Sequence, residues 1–185
     1  VVSFDKAAYK CHNCGWGGYS DSIDRSRKEY KPVEPKGLTP EERVFDYFAK
    51  RGIPREVVER NRITYDRQDG YQNGRICFNY FENGELMNIK FRTGDKKFFQ
   101  VAHAKKIFYK LDDARNQKHV IITEGEIDAL SFEAAGMPWA ISVPDGAPAP
   151  NAQVSEAKFE YIDNCYQVLE AAEVIYIATD TDAPG

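Results

Sequence analysis

The sequence predicts an α/β fold, a parallel sheet flanked by helices and preceded by a small α+β subdomain. Two observations carry this reading. Residues 120–123, 139–143 and 174–178 are short apolar runs, the pattern of parallel strands buried on both faces. Helical stretches, 127–135 and 154–172, separate them, and strands alternating with helices imply right-handed crossovers. Residues 118–185 are therefore expected as one domain. Residues 38–117, where an alternating segment meets a strong turn, are expected as another.

The amino end reads differently. Cys11-His12-Asn13-Cys14, followed by Gly15, is one knuckle of a zinc ribbon, since the tight turn aims two thiolates at one metal. A structural zinc needs four ligands and no second Cys-x-x-Cys exists, so residues 1–19 are read as half a ribbon. Two free thiols in a loop is the competing reading. Residues 20–37, polar and carrying Pro32 and Pro35, read as a linker. Thr39-Pro40-Glu41-Glu42 then opens a helix with a cap, a first-turn proline and early acids. Val44, Phe45, Tyr47 and Phe48 form its apolar face and Gly52 ends it; Pro54 starts a second helix through Arg60. Residues 75–81 alternate, Asn83-Gly84 is a hairpin turn, and 86–91 return antiparallel.

With 185 residues and 42% hydrophobic content the chain has enough apolar mass for real cores. No apolar run approaches the roughly 20 residues of a bilayer span, and no signal-peptide pattern opens the chain, so a soluble intracellular protein is expected. Cys11, Cys14, Cys77 and Cys165 do not make a secreted disulfide framework. The net charge of −4 gives no overall case for nucleic acid, but seven Lys/Arg residues and one acid lie between Lys90 and Lys110, interleaved with Phe91, Phe98, Phe99, Phe108 and Tyr109. Such a strip suits a single strand; a hairpin with solvated lysines and a buried aromatic face is the plainer alternative.

Chemistry concentrates in two acidic turns, Glu124-Gly125-Glu126 and Asp180-Thr181-Asp182, each directly after an apolar run. Carboxylates gathered at the carboxyl ends of parallel strands suit a hard divalent metal such as magnesium, and phosphoryl transfer on nucleotides or nucleic acid. Asp128 is explained equally by helix amphipathicity, and Asp145, beside Gly146, reads as a turn residue. Lys90 and Arg92 share a strand face and so reach a phosphate from one side.

The unit from Val120 through Glu124-Gly125-Glu126-Ile127-Asp128, followed by Ile175 through Asp180-Thr181-Asp182-Ala183-Pro184-Gly185, resembles the TOPRIM fold of primases, topoisomerases and some nucleases. Cys11 to Gly18 looks like the second half of a primase zinc ribbon. Asn83-Gly84-Glu85-Leu86 with Asn88-Ile89-Lys90-Phe91-Arg92, and Ser142-Val143-Pro144-Asp145-Gly146-Ala147, are similar to segments of phage-type primase–helicases, the family that includes Twinkle. The resemblance implies a partial TOPRIM sheet, Rossmann-like, in a chain truncated at both ends. It implies a DNA primase making short RNA primers, with Glu124 as general acid or base and Asp180 and Asp182 holding Mg2+ or Mn2+. Cys11 and Cys14 supply half a Zn2+ site, completed upstream. Lys90 and Arg92, with Arg75 and Lys97 as weaker candidates for the same groove, lie near nucleotides or template.

The implied partners are a single-stranded DNA template, ribonucleoside triphosphates and a helicase domain in a longer chain, in the cytoplasm of a bacterial or phage-infected cell. The fragment alone is expected to be inactive or weak. A catalytically lapsed module bracing a helicase, a TOPRIM nuclease, and a single-strand binding module without metal chemistry are the alternatives.

Overall fold

The structure, a computed structural model, describes residues 2–3, 8–10, 17–19, 29–67, 74–146 and 158–180. Among these, short strands β1 (Val2–Ser3), β2 (Ala8–Lys10) and β3 (Gly17–Tyr19) form a small antiparallel sheet. Cys11 and Cys14 lie outside the described residues.

Helix α1 (Glu42–Ala49) buries Val44, Phe45 and Phe48, with Tyr47 half-buried. Its start differs from the expected cap. The helix begins after Glu41, whose carboxylate is drawn into ion pairs with Arg43 and Arg67 and makes no capping bond, so Thr39 and Pro40 stay outside. The chain leaves α1 through Gly52 at φ +73°, a left-handed conformation that favours glycine. Helix α2 (Arg55–Arg60) follows Pro54 as anticipated.

The antiparallel sheet runs β4-β5-β6-β7, built from β4 (Thr64–Asp66), β5 (Arg75–Glu82), β6 (Glu85–Thr93) and β7 (Phe98–Gln100). The β5–β6 turn places Asn83 at φ 54° and Gly84 at φ 79°, the pair of positive values a type I′ turn needs. Asp112 accepts the backbone N–H groups of both, each at 2.8 Å. β4, unforeseen, is too short to leave a periodic signal.

The alternation along β5 does not mark a solvent face, because both faces are covered. Ile76, Phe78 and Tyr80 enter the main core, where Phe78 meets Phe48 and Tyr109 edge-on. Cys77, Ile89 and Phe91 form a second cluster under Val33, Leu86, Phe99 and Val101. Val33 belongs to the segment expected as linker. Its N–H donates to the Leu86 carbonyl at 2.7 Å, so the described end of that segment is packed down on the sheet.

The parallel sheet runs β10-β8-β9, formed by β8 (His119–Thr123), β9 (Ala140–Ser142) and β10 (Val174–Ala178), with α3 (Glu126–Ala134) crossing from β8 to β9. The expected helix at 154–172 is, in its described part, two short helices, α4 (Glu160–Asn164) and α5 (Tyr166–Glu170). The break at Cys165 keeps Tyr161, Cys165 and Val168 buried as one stripe. β10, expected to be buried, is an edge strand with Ile177 67% exposed. None of the helices that can be described lies over it.

Burial holds the thiols of Cys77 and Cys165 protonated, pushed up to about 11 and about 12. Both should resist iodoacetamide at pH 7 in native protein and react after unfolding, read by peptide mapping. The unfolded thiols ionise first, near pH 8.5. These cysteines therefore cost stability progressively as pH rises above that value, with no effect below it.

Candidate active site

Strand register assembles the site. Ala178 pairs with Thr123 and Thr123 with Ser142, so the carboxyl ends of β10, β8 and β9 stop level. Each is followed within a few residues by an acid: Asp180, Glu124 and Asp145. They meet at the wall of a cleft of about 1350 Å³, whose other side is β6, β7 and the segment after them.

Among the described residues, three carboxylates here have no ion-pair partner. Glu124 holds its Oε2 buried, with no hydrogen-bond partner among them. Asp128, on the first turn of α3, accepts the Gly125 N–H, and its carboxyl is pushed up by desolvation first and then by Asp180, Glu126 and Glu124. Asp180 is exposed at the cleft. Gly125 caps α3, and a Cβ on it would sit 2.8 Å from Asp128 Oδ2, so the glycine keeps room for that reach-back.

The remaining acids are compensated. Glu126, 3% exposed, accepts from Tyr80 Oη at 2.5 Å and Lys90 Nζ at 2.7 Å through the same Oε1. Asp145 accepts from Gln100 Nε2 at 2.8 Å and Lys106 Nζ at 2.7 Å, clipping the loop after β9 to β7. It is more than a turn residue. Its position after a strand, like the other two acids, was the signal for it. Asn88 and Gln100 carried no signal, since only the fold brings them to the cleft, and neither did Tyr80, buried behind it.

The structure thus brings Glu124, Asp180 and Lys90 together. Arg92 shares the face of Lys90, and its guanidinium lies 5.0 Å from the Tyr47 ring and 5.8 Å from that of Phe98. Arg75 is not in that groove. Phe78 pairs with Lys90 and Cys77 with Phe91, so strand parity puts Arg75 on the opposite face, paired with Asp66 at 2.6 Å. Lys97 pairs with Asp95 at 2.8 Å on an exposed turn. The basic strip is not one surface either. Phe91, Phe108, Tyr109 and Lys110 are buried, and only Phe98 among these rings is strongly exposed. Asp182 lies outside the described residues.

Residues 118–185 match the family model for the Toprim domain. The chain contains a Toprim domain. Its wider fold is that of primase domains. The primase fragment of the bacteriophage T7 primase–helicase superposes with a TM-score of 0.62 at 20% identity, over 97% of this chain and 74% of that one. The Aquifex aeolicus primase (zinc-binding and RNA polymerase domains) gives 0.57 at 12%, over 99% and 62%. Among sequences, the Arabidopsis thaliana Twinkle homolog protein, chloroplastic/mitochondrial, is 39% identical over 89% of this chain and 24% of its own length. The Primase homolog protein of Arabidopsis thaliana is 43% identical over 77% and 43% respectively. The chain therefore spans less than half the length of either relative. The level strand ends that seat Glu124 and Asp180 are the Toprim part of this architecture.

Proposed function

We propose that the chain is the primase part of a primase–helicase, joining ribonucleotides on a single-stranded DNA template. One observation carries this: Glu124 and Asp180 just past the level ends of the parallel strands, with Asp128 on the first turn of α3, share one cleft with Lys90 and have no ion-pair partner among the described residues. The Toprim match and the primase-named relative support the reading.

The orphaned Glu124 oxygen and the mutual repulsion around Asp128 suit a divalent cation. Among the described residues no three His, Cys, Asp or Glu side chains form a ready metal cluster, so Asp180 and Asp182 are proposed to share the task with Asp128. Bound Mg2+ or Mn2+ would neutralise triphosphate charge. Glu124 then handles the proton of the attacking hydroxyl as general acid or base, Lys90 meets a phosphate, and Arg92 lines the approach. Cys11 and Cys14 are proposed as half of a Zn2+ site, residues 38–117 as the amino-terminal primase subdomain, and a helicase domain as partner in the longer chain. No helix among the described residues is long and apolar enough to cross a membrane. The compartment we infer is the cytoplasm; the organellar name of one relative makes a plastid or mitochondrial matrix its competitor, and a leader in the complete gene decides between them.

The test is labelled ribonucleotide incorporation on single-stranded DNA with and without Mg2+. Metal-dependent oligoribonucleotides are expected. DNA binding without product would leave a lapsed, helicase-supporting module, and strand cleavage a nuclease. A cheaper check uses melting alone. Millimolar Mg2+ should raise the melting temperature by a few degrees, as ligand linkage requires, and Asp128→Asn should reduce that increment.

A further inference from the structure

Glu126 sits two residues from Glu124, yet its surroundings set it apart from the other cleft acids. Its side chain is 4% exposed, and the Lys90 side chain beside it 11%. One oxygen, Oε1, takes both the Tyr80 hydroxyl at 2.5 Å and the Lys90 ammonium at 2.7 Å. Tyr80 is fully buried in the core against Tyr109, so it touches no substrate, and its hydroxyl is spent on that carboxylate. A buried charge pair of this kind is kept together by mutual need, because either charge alone would be severely penalised. Lys90 lies mid-strand between β5 and β7, pairing with Phe78 on one side and Gln100 on the other. Its position is therefore fixed by the sheet, and its ammonium retains donors beyond the one given to Glu126.

We propose that Glu126 is a positioning residue rather than a metal ligand: with Tyr80 it fixes the Lys90 ammonium at the cleft wall, charged and aimed to receive a phosphate of the incoming nucleotide. The carboxylates then divide into two sets. Glu124, Asp128 and Asp180 have no ion-pair partner among the described residues and face the cation; Glu126 faces a lysine. The proposal rests on the nucleotide-polymerising reading for its phosphate, and on geometry alone for its lysine.

The test compares Glu126→Gln, Tyr80→Phe and Asp128→Asn with the parent chain, each first checked by circular dichroism. Lysine acylation by acetic anhydride, mapped by mass spectrometry, reads the ammonium directly. Losing the carboxylate removes the acceptor that holds the Lys90 nitrogen at 2.7 Å and leaves it free to meet the reagent. Glu126→Gln should therefore raise Lys90 labelling severalfold, and Tyr80→Phe, which keeps the carboxylate, should raise it by less. ATP affinity by equilibrium dialysis should fall about tenfold in Glu126→Gln, with the Mg2+ midpoint unchanged, whereas Asp128→Asn should move that midpoint. A merely structural role would shift melting and leave labelling and affinity in the folded variant alone.

Unchanged Lys90 labelling in both variants would overturn the proposal. So would a Mg2+ midpoint in Glu126→Gln that moves as far as in Asp128→Asn. If Glu126→Gln fails to fold, the Tyr80→Phe labelling decides. If the parent binds no ATP at all, the polymerising reading falls and the phosphate-receiving role with it, while the labelling still reads the Glu126–Lys90 coupling.

Discussion

Glu124→Gln should lower metal-dependent ribonucleotide incorporation by about 10²–10⁴-fold, the usual worth of a general acid or base, with no loss of folding. The side chain leaves the end of β8, at the level where β10 also ends. Its Oε2 is buried and bonded to nothing in the described protein, so the fold does not depend on its charge. Glutamine keeps the shape and removes the proton acceptor and the negative charge together. Thermal melting of the variant should match or slightly exceed the parent, because the substitution relieves repulsion with Asp128, to which Glu124 contributes. Primer synthesis on single-stranded DNA, measured beside melting, separates the two effects. Undiminished synthesis would remove Glu124 from the chemistry.

The largest stability effect is expected at Glu133. Its carboxylate, 6% exposed, binds the Lys110 ammonium, itself 1% exposed, and Arg60 Nη1 at 2.9 Å, while Asn61 Nδ2 donates to it at 2.8 Å. Asp113 adds a second contact to Lys110 at 2.9 Å. The network ties α2 to α3 and to the short 3-10 helix Leu111–Ala114, and so fastens the amino-terminal helices to the parallel sheet. Removing one partner of a buried pair strands the other, at a cost of about 3–5 kcal/mol. Glu133→Ala should therefore lose roughly that much in urea denaturation. Replacing both charges, as Glu133→Leu with Lys110→Met, should cost far less, since well-packed apolar pairs often substitute for buried ion pairs without loss. A double variant as unstable as the single one would show that packing rather than charge is lost.

Particular residues show how far the sequence reaches. The Asn83-Gly84 turn is legible because positive φ at two successive positions restricts residue choice, and the three parallel strands because each is an uninterrupted apolar run, although β10 is an exposed edge rather than a buried strand. The pairing of acidic turn with strand end was legible for the same reason: Glu124 and Asp180 follow those runs directly. The α1 start differs from the expectation because Glu41 serves two arginines, its neighbour Arg43 and the distant Arg67, a contest a local capping rule does not see.

What the sequence by itself determined is local: element type, turn chemistry, and acids placed after apolar runs. Tertiary structure decided which charges are free. Lys90 and Arg75 look alike on paper, yet strand register sends one to Glu126 at the cleft and the other to Asp66 behind the sheet. Lys110, one more basic residue of an apparent strip, is a core residue because Glu133 waits there. Side-chain direction in a sheet alternates with period two, so a cation's role depends on register and on what the opposite element carries. That information lies in contacts between residues distant in sequence, and forms only when the chain folds.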